Sequence, residues 1–370
     1  MGAHIPAEVF PPGEFLKEEL DARNWSQVEF AEIIGKDTRL IYEVIGGKRM
    51  ITPETAVIFS QALGTSPELW MNLESQYQLS KVRGVAGTVS RKADLHTKFP
   101  VREMIKRKWI AQSENIEIVE QQIFHFFNIK TIADAPRFSH AAKKSQHGDA
   151  SIQQLAWLFR VRAIAQTMVV PKFSQDQLMA DMPKLSALTS APEEARHAAK
   201  VLSGCGVRLV LVEPLPGSKL DGACFWINGN PVIGLALRFD RIDNFWFVLR
   251  HEIEHVLKGN GKHEFYLDQD LDGTEQNIPE EEKQANIAGA NFCVAEAEMQ
   301  DFMDRVSPYF SEQKVLAFAQ RIGVHPGLVV GQLHRRLNRH DIFKKHQAKI
   351  RSFVIASTAT DGWGQEYPMD

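Results

Sequence analysis
The pentapeptide His251-Glu252-Ile253-Glu254-His255 restricts the fold of this chain more than any other stretch. Two histidines four residues apart face the same way only on an α-helix. On one helix face their ring nitrogens can share a zinc ion, and the glutamate after the first histidine lies close enough to accept a proton. The residues from Arg241 through Asn244-Phe245-Trp246-Phe247-Val248-Leu249 to Lys258 predict that helix, with Gly259 ending it. It is apolar nearly all round, so it belongs in an interior. Buried histidines beside a glutamate need a polar partner, and a metal supplies one. Zinc requires a third protein ligand, and Glu282 stands 27 residues beyond His255. It falls on a further helix that starts after Pro279 with a glutamate-rich first turn, which suits the positive end of a helix dipole. Upstream, residues 207–213, 222–227 and 231–237 are β-rich, with Asn228-Gly229-Asn230 as a hairpin turn between the last two.

A chain of 370 residues is too long for one ordinary core, so two or three packed units are expected. The apolar fraction of 44% and charged fraction of 24% are those of a soluble globular protein. No run approaches the ~20 apolar residues that a membrane span needs, and the start of the chain lacks a basic-then-apolar leader. These features predict a cytoplasmic protein with no membrane partner. Three cysteines, Cys205, Cys224 and Cys293, without a Cys-x-x-Cys pair, argue against a disulfide framework and against a thiolate zinc site.

The N-terminal segment is patterned differently. After Pro11-Pro12-Gly13, a helix is predicted over Glu14–Arg23, with Phe15, Leu16 and Leu20 on one face. Ser26-Gln27-Val28-Glu29 matches the Ser-x-x-Glu capping box, followed by Phe30, Ile33 and Ile34 at helical spacing. Gly35 ends that helix, Asp37 or Thr38 caps the next over Arg39–Ile45, and Gly46-Gly47 terminates it. A fourth helix starts at Thr52-Pro53-Glu54-Thr55 and a fifth at Pro67. Two short helices joined by a glycine-containing turn, inside five helices, describe a helix-turn-helix. Residues 1–79 hold twelve acidic against six basic residues, so phosphate contact requires the cations to gather on one side. Lys36, Arg39, Lys48 and Arg49 do cluster around the third helix in sequence. Asp37 and Glu43 put carboxylates on or beside the same helix.

The phrases Trp25-Ser26-Gln27, Gly46-Gly47-Lys48-Arg49, Ile51-Thr52-Pro53-Glu54-Thr55-Ala56 and Ala62-Leu63-Gly64-Thr65-Ser66-Pro67-Glu68-Leu69-Trp70 occur in order over residues 8–79. In this they resemble the HigA-type antitoxin branch of the phage-repressor-like (XRE) helix-turn-helix family. That resemblance implies that the third helix enters a major groove, with Asp37, Thr38, Arg39 and Tyr42 as base readers. It implies phosphate contacts from Gln27, Lys48 and Arg49, which fix register without reading sequence. Operator DNA is then the expected partner, and a homodimer is expected because such proteins read paired half-sites.

Residues 81–112 carry nine basic residues against Asp94 and Glu103 and are interrupted by Gly84, Gly87 and Pro100. They read as a basic linker running into a helix around Val101–Lys108. Residues 113–185 read as a helical connector, with Ala141–Ala150 as a surface loop. Further on, Pro231-Val232-Ile233, Leu237-Arg238-Phe239-Asp240, Asp243-Asn244-Phe245-Trp246-Phe247 and Glu282-Lys283-Gln284-Ala285-Asn286 accompany the histidine motif. So does Gly323-Val324-His325-Pro326-Gly327. Together they resemble the ImmA/IrrE metallo-endopeptidase family over residues 186–340. The resemblance implies His251, His255 and Glu282 as ligands of Zn2+ and Glu252 as general base, with neighbouring Glu281 the weaker candidate. This chain departs from the family in carrying Glu254 within the motif and in having Val294-Ala295-Glu296 where the family has a proline.

The expected fold is therefore multidomain and mainly α. It comprises an all-α five-helix domain over 1–80, the linker, the connector, an α+β zincin-like domain with a small sheet over 186–340, and a tail over 341–370. The expected function is a DNA-binding transcriptional regulator with a fused zinc-dependent endopeptidase that cleaves a repressor or partner protein. The alternative is an antitoxin of a two-gene toxin–antitoxin system that represses its own operon and holds a toxin, with a non-proteolytic zinc domain.

Overall fold
The computed structural model describes residues 9–81, 83–134, 136, 138, 150–262, 266–269 and 279–368. They fall into two compact units, Met1–Asp94 and Leu95–Asp370.

In the first unit the chain forms α1 (Pro12–Ala22), α2 (Gln27–Ile33), α3 (Thr38–Ile45), α4 (Pro53–Leu63) and α5 (Pro67–Lys81). A further helix, α6 (Arg83–Lys98), contains the boundary. Local chemistry sets these ends. The Ser26 hydroxyl accepts from the Glu29 N–H at 3.1 Å, and the Glu29 carboxylate accepts from the Ser26 N–H at 2.8 Å, closing the capping box that starts α2. The Asp37 carboxylate accepts from the Arg39 N–H at 2.7 Å and caps α3. Thr52 caps α4, Pro53 occupies its first position, and Gly64, left-handed at φ 66°, ends it. Leu16, Leu20, Phe30, Ile41, Val44, Phe59, Leu63 and Trp70 form the core. Phe59 lies 5.4 Å from Phe30 and 5.5 Å from Trp70, ring centre to ring centre. A side chain at Gly13 would overlap the backbone of Val44 and Ile45, so glycine lets α1 settle directly on the end of α3.

The second unit holds α7 (Val101–Lys106), α8 (Ile116–Phe127), α9 (Ile152–Thr167), α10 (Gln175–Ala187) and α11 (Ala198–Gly204). Next come β1 (Arg208–Val212), β2 (Leu220–Ile227), β3 (Asn230–Leu235), α12 (Ile242–Lys258) and β4 (Tyr266–Gln269). Then follow α13 (Glu280–Cys293), α14 (Glu296–Val306), α15 (Glu312–Ile322), α16 (Pro326–Leu337), α17 (Arg351–Ile355) and β5 (Ala359–Asp361). The five strands form one mixed sheet in the order β4-β2-β3-β1-β5. β2 runs antiparallel to β3 and β4, whereas β1 runs parallel to β3 and β5. Asn228 and Gly229, at φ 50° and 79°, make the two-residue turn between β2 and β3, a conformation that asparagine and glycine tolerate best.

Helices cover both faces of the sheet, and the strands alternate accordingly. Leu209, Leu211, Ile233 and Leu235 face a core shared with α12 and the helices that follow it. Val210, Val212, Val232 and Phe225 face a second core built from α7, α8 and α9. Central strands buried on both sides read as apolar runs, as Leu209–Val212 of β1 does. The Trp157 indole of α9 donates to the Val212 carbonyl at 2.8 Å and fastens that helix to β1.

Residues outside the segment read as the zincin-like domain thus supply a full layer of this unit. Residues 81–112, read as a basic linker, carry α6 and α7, and Leu95, Phe99, Val101, Met104 and Trp109 are buried. Two of the basic residues there serve the unit itself. Arg107 donates to the Glu213 and Pro214 carbonyls, and Lys108 pairs with Glu366 at 2.6 Å. The stretch read as a tail supplies β5, whose Asp361 is 2% exposed. Asp361 accepts from Arg160 Nε at 2.7 Å and from the Trp109 indole at 3.1 Å, so one carboxylate joins β5, α9 and the residues after α7. Most of the expected surface loop Ala141–Ala150 lies outside the described residues. Among the described residues no helix is long and apolar enough to cross a membrane.

Removing Asp361 leaves a buried guanidinium without its main counter-charge. Asp361→Ala is expected to destabilise the second unit by about 3–5 kcal/mol, measured by urea denaturation. Ser26→Ala removes one side of a solvent-facing cap, and the same measurement should show a loss of about 1 kcal/mol confined to the first unit.

Candidate functional site
α12 is enclosed along nearly its whole length: Phe245, Trp246, Val248 and Leu249 are buried, and so are His251, Glu252 and His255. Each of these large apolar side chains contributes roughly 1.5–3 kcal/mol through burial, enough to hold a helix that also carries polar groups inward. Gly259, left-handed at φ 73°, stops the helix one turn beyond His255. α13 packs alongside and brings Glu282, 7% exposed, to the two histidines, whereas Glu281 faces solvent.

Three donor groups converge. His251 Nε2 and His255 Nε2 are 3.1 Å apart. Glu282 places one carboxylate oxygen 3.3 Å from His251 Nε2 and the other 3.5 Å from His255 Nε2. Among the described residues these three form the group able to hold a metal ion, and all are buried. Tetrahedral ligands about 2.0–2.1 Å from zinc stand about 3.3–3.4 Å from one another, so the spacing fits that ion. The donor set fits as well: two imidazoles and a carboxylate leave a fourth position for a reacting molecule.

A second layer holds the rings. His251 Nδ1 lies 3.1 Å from the Asn286 side-chain oxygen, and His255 Nδ1 lies 3.1 Å from the Asn260 side-chain amide. Such contacts select which ring nitrogen faces the centre. Asn286 sits one turn after Glu282 on α13, so the spacing Glu282-x-x-x-Asn286 already contains it. Asn260 follows the Gly259 terminator, and its backbone carbonyl accepts from the Trp226 indole at 2.7 Å, tying this corner to β2.

Glu252 is fully buried beneath β2. A side chain at Gly222 of β2 would overlap its carboxylate, with Cδ 2.9 Å from the added carbon. Glycine at that strand position makes the space in which Glu252 lies, a role that no local pattern announces. Glu254, the extra charge in the motif, is engaged elsewhere: its carboxylate is 2.7 Å from Arg250 and 3.8 Å from Lys258, one turn away on either side.

In the first unit, α2 and α3 pack against each other across Gly35, left-handed at φ 61°. Asp37, Arg39, Tyr42, Lys48 and Arg49 are exposed, with Gln27 and Thr38 half-buried. The Asp37 carboxylate is occupied by the cap of α3. Glu43 accepts from Arg39 Nε at 2.7 Å and from Arg49 Nη1 at 3.2 Å. The hydrogen bond from Arg39 holds the Glu43 carboxyl below the usual carboxylate range, and the same bond raises the Arg39 guanidinium.

A helix-turn-helix family model matches residues 16–70. The chain is 34% identical over 70 residues to an uncharacterised HTH-type transcriptional regulator, YddM, of Escherichia coli K12, a match that covers 19% of this chain and 74% of that protein. Among solved structures it is similar to an addiction module antidote protein of the HigA family from Coxiella burnetii, with 30% identity and a TM-score of 0.22. That likeness covers 23% of this chain and 94% of the other. It is also similar to the Pseudomonas aeruginosa antitoxin HigA, solved with the higBA promoter, with 26% identity, a TM-score of 0.21, and coverage of 22% and 88%. Through residues 16–70 the chain belongs to the helix-turn-helix family.

Proposed function
We propose that this protein is a DNA-binding transcriptional regulator whose second unit is a zinc-dependent endopeptidase that cleaves a repressor or partner protein. The observation that carries the enzymatic half is the convergence of His251 Nε2, His255 Nε2 and the Glu282 carboxylate at 3.1, 3.3 and 3.5 Å. Membership of the helix-turn-helix family supports the regulatory half, with α3 as the groove-reading helix and a homodimer matching two half-sites.

When bound, zinc supplies Lewis acidity, which polarises a scissile carbonyl and makes water acidic enough to lose a proton near neutral pH. The chain's own residues do the rest. His251 and His255 present Nε2, each ring steadied through Nδ1 by Asn286 and Asn260. Glu282 adds a negative charge that balances the ion. Glu252 accepts the proton from the attacking water and passes it to the departing amide nitrogen. The dry surroundings of α12 strengthen each of these charge interactions.

The first test is metal content on protein purified without added zinc. About one zinc per chain is expected, falling to near zero in the His251→Ala, His255→Ala double variant; no zinc in the parent protein, even after supplementation, would overturn the reading. Glu252→Gln should keep the metal and the DNA binding while lowering cleavage of a co-expressed partner by roughly 10²–10⁴-fold. Gly222→Ala should show the same signature of retained zinc and impaired cleavage, because the added carbon displaces the Glu252 carboxylate. If Glu252→Gln leaves operon repression and toxin neutralisation unchanged and the parent cleaves no partner, the second unit is a non-proteolytic zinc domain of an autorepressing antitoxin.

A further inference from the structure
The start of α3 joins two cations to one anion. Arg39, the second residue of that helix, is 81% exposed along its side chain, yet its Nε donates to one oxygen of Glu43 at 2.7 Å. The other Glu43 oxygen accepts from Arg49 Nη1 at 3.2 Å. Glu43 is held from a further side, because its backbone carbonyl accepts the N–H groups of Lys48 at 2.8 Å and Arg49 at 3.1 Å as the Gly46-Gly47 turn folds back. Each carboxylate oxygen thus accepts from one arginine, and Arg39 is held through its Nε.

The direction of aim matters. A guanidinium is a rigid planar fork, and holding it by Nε turns its terminal edge, Nη1 and Nη2, outward. That edge matches the two acceptors, O6 and N7, that guanine alone shows side by side in the major groove. The N-terminal residues of a groove-reading helix are those that approach base edges. The neighbouring carboxylate of Asp37 makes its hydrogen bond to the Arg39 backbone N–H, whereas Glu43 makes the one to the guanidinium.

We infer that Arg39 reads a guanine in each half-site of the operator, and that Glu43 is the positioning residue that orients it while sharing its carboxylate with Arg49. The inference rests on the DNA-binding reading above and deepens it. It differs from the simpler role a carboxylate near DNA can play, which is to repel phosphate without regard to sequence.

Sites are selected from a random duplex library with the full chain, and binding is then measured by fluorescence anisotropy across a salt series. The parent protein is expected to prefer guanine at one position per half-site by roughly 5- to 150-fold over other bases. Replacing that guanine with 7-deazaguanine, which lacks the N7 acceptor, should remove much of the preference, as should Arg39→Ala. Glu43→Gln should reduce the preference toward the Arg39→Ala level while affinity for unrelated DNA holds or rises. A Glu43→Gln protein that binds every sequence more tightly with its guanine preference intact would make Glu43 a phosphate repellent and overturn the inference. So would a selected site whose guanine is insensitive to Arg39→Ala. A parent protein that binds no duplex at any salt concentration would instead overturn the DNA-binding reading, and this inference with it.

Discussion

Enclosing α12 sets the terms for the second unit. A helix that carries two histidines and a glutamate among buried apolar residues gains stability only if its apolar residues are enclosed and its polar ones are met. The sheet covers one side, and α13 and α16 cover others. Glu282, Asn286 and Asn260 then answer the histidines. Gly222 answers Glu252 by giving way, since a larger residue would occupy the same volume. The candidate centre therefore lies where these layers meet, with its atoms 3.1–3.5 Å from one another.

The first unit solves a different problem with fewer resources. Its core is small, and an acidic composition works against any approach to phosphate. Local hydrogen bonds direct the charges. Asp37 turns its carboxylate to the end of α3, and Glu43 pairs with Arg39 and Arg49. Two of the carboxylates that argue against DNA binding on composition alone are therefore engaged in shaping the surface that carries the cations.

What could be read from the sequence was what short-range chemistry encodes. The capping box at Ser26 and Glu29, the Asn228-Gly229 turn, and α12 with its glycine terminator all follow from neighbouring residues. That His251 and His255 stand together was legible because they share a helix, and Glu282, which comes to them in the structure, opens another. Distant partners were not legible. Gly84 and Gly87 suggested a break, yet α6 runs through them. β5 is three residues long and includes an aspartate, so nothing in its composition distinguishes it from a loop. It becomes a strand because Val210, Leu211 and Val212 offer an open edge and Arg160 offers a charge. The pairing of Glu43 with Arg39 and Arg49 was not legible, because a sequence lists charges without their partners.

The Asp361 contacts also bear on how the second unit assembles. Asp361 meets Arg160 across 201 residues of chain and Trp109 across 252, so closing those contacts confines a very long loop. Helices form early from their own neighbours, whereas an edge whose partners are so remote must wait until the intervening chain has collapsed. Without β5, β1 would present a bare parallel edge, the kind of surface on which chains pair with one another. The short strand that covers this edge is thus held by contacts that close a far longer loop than the two-residue turn joining β2 to β3.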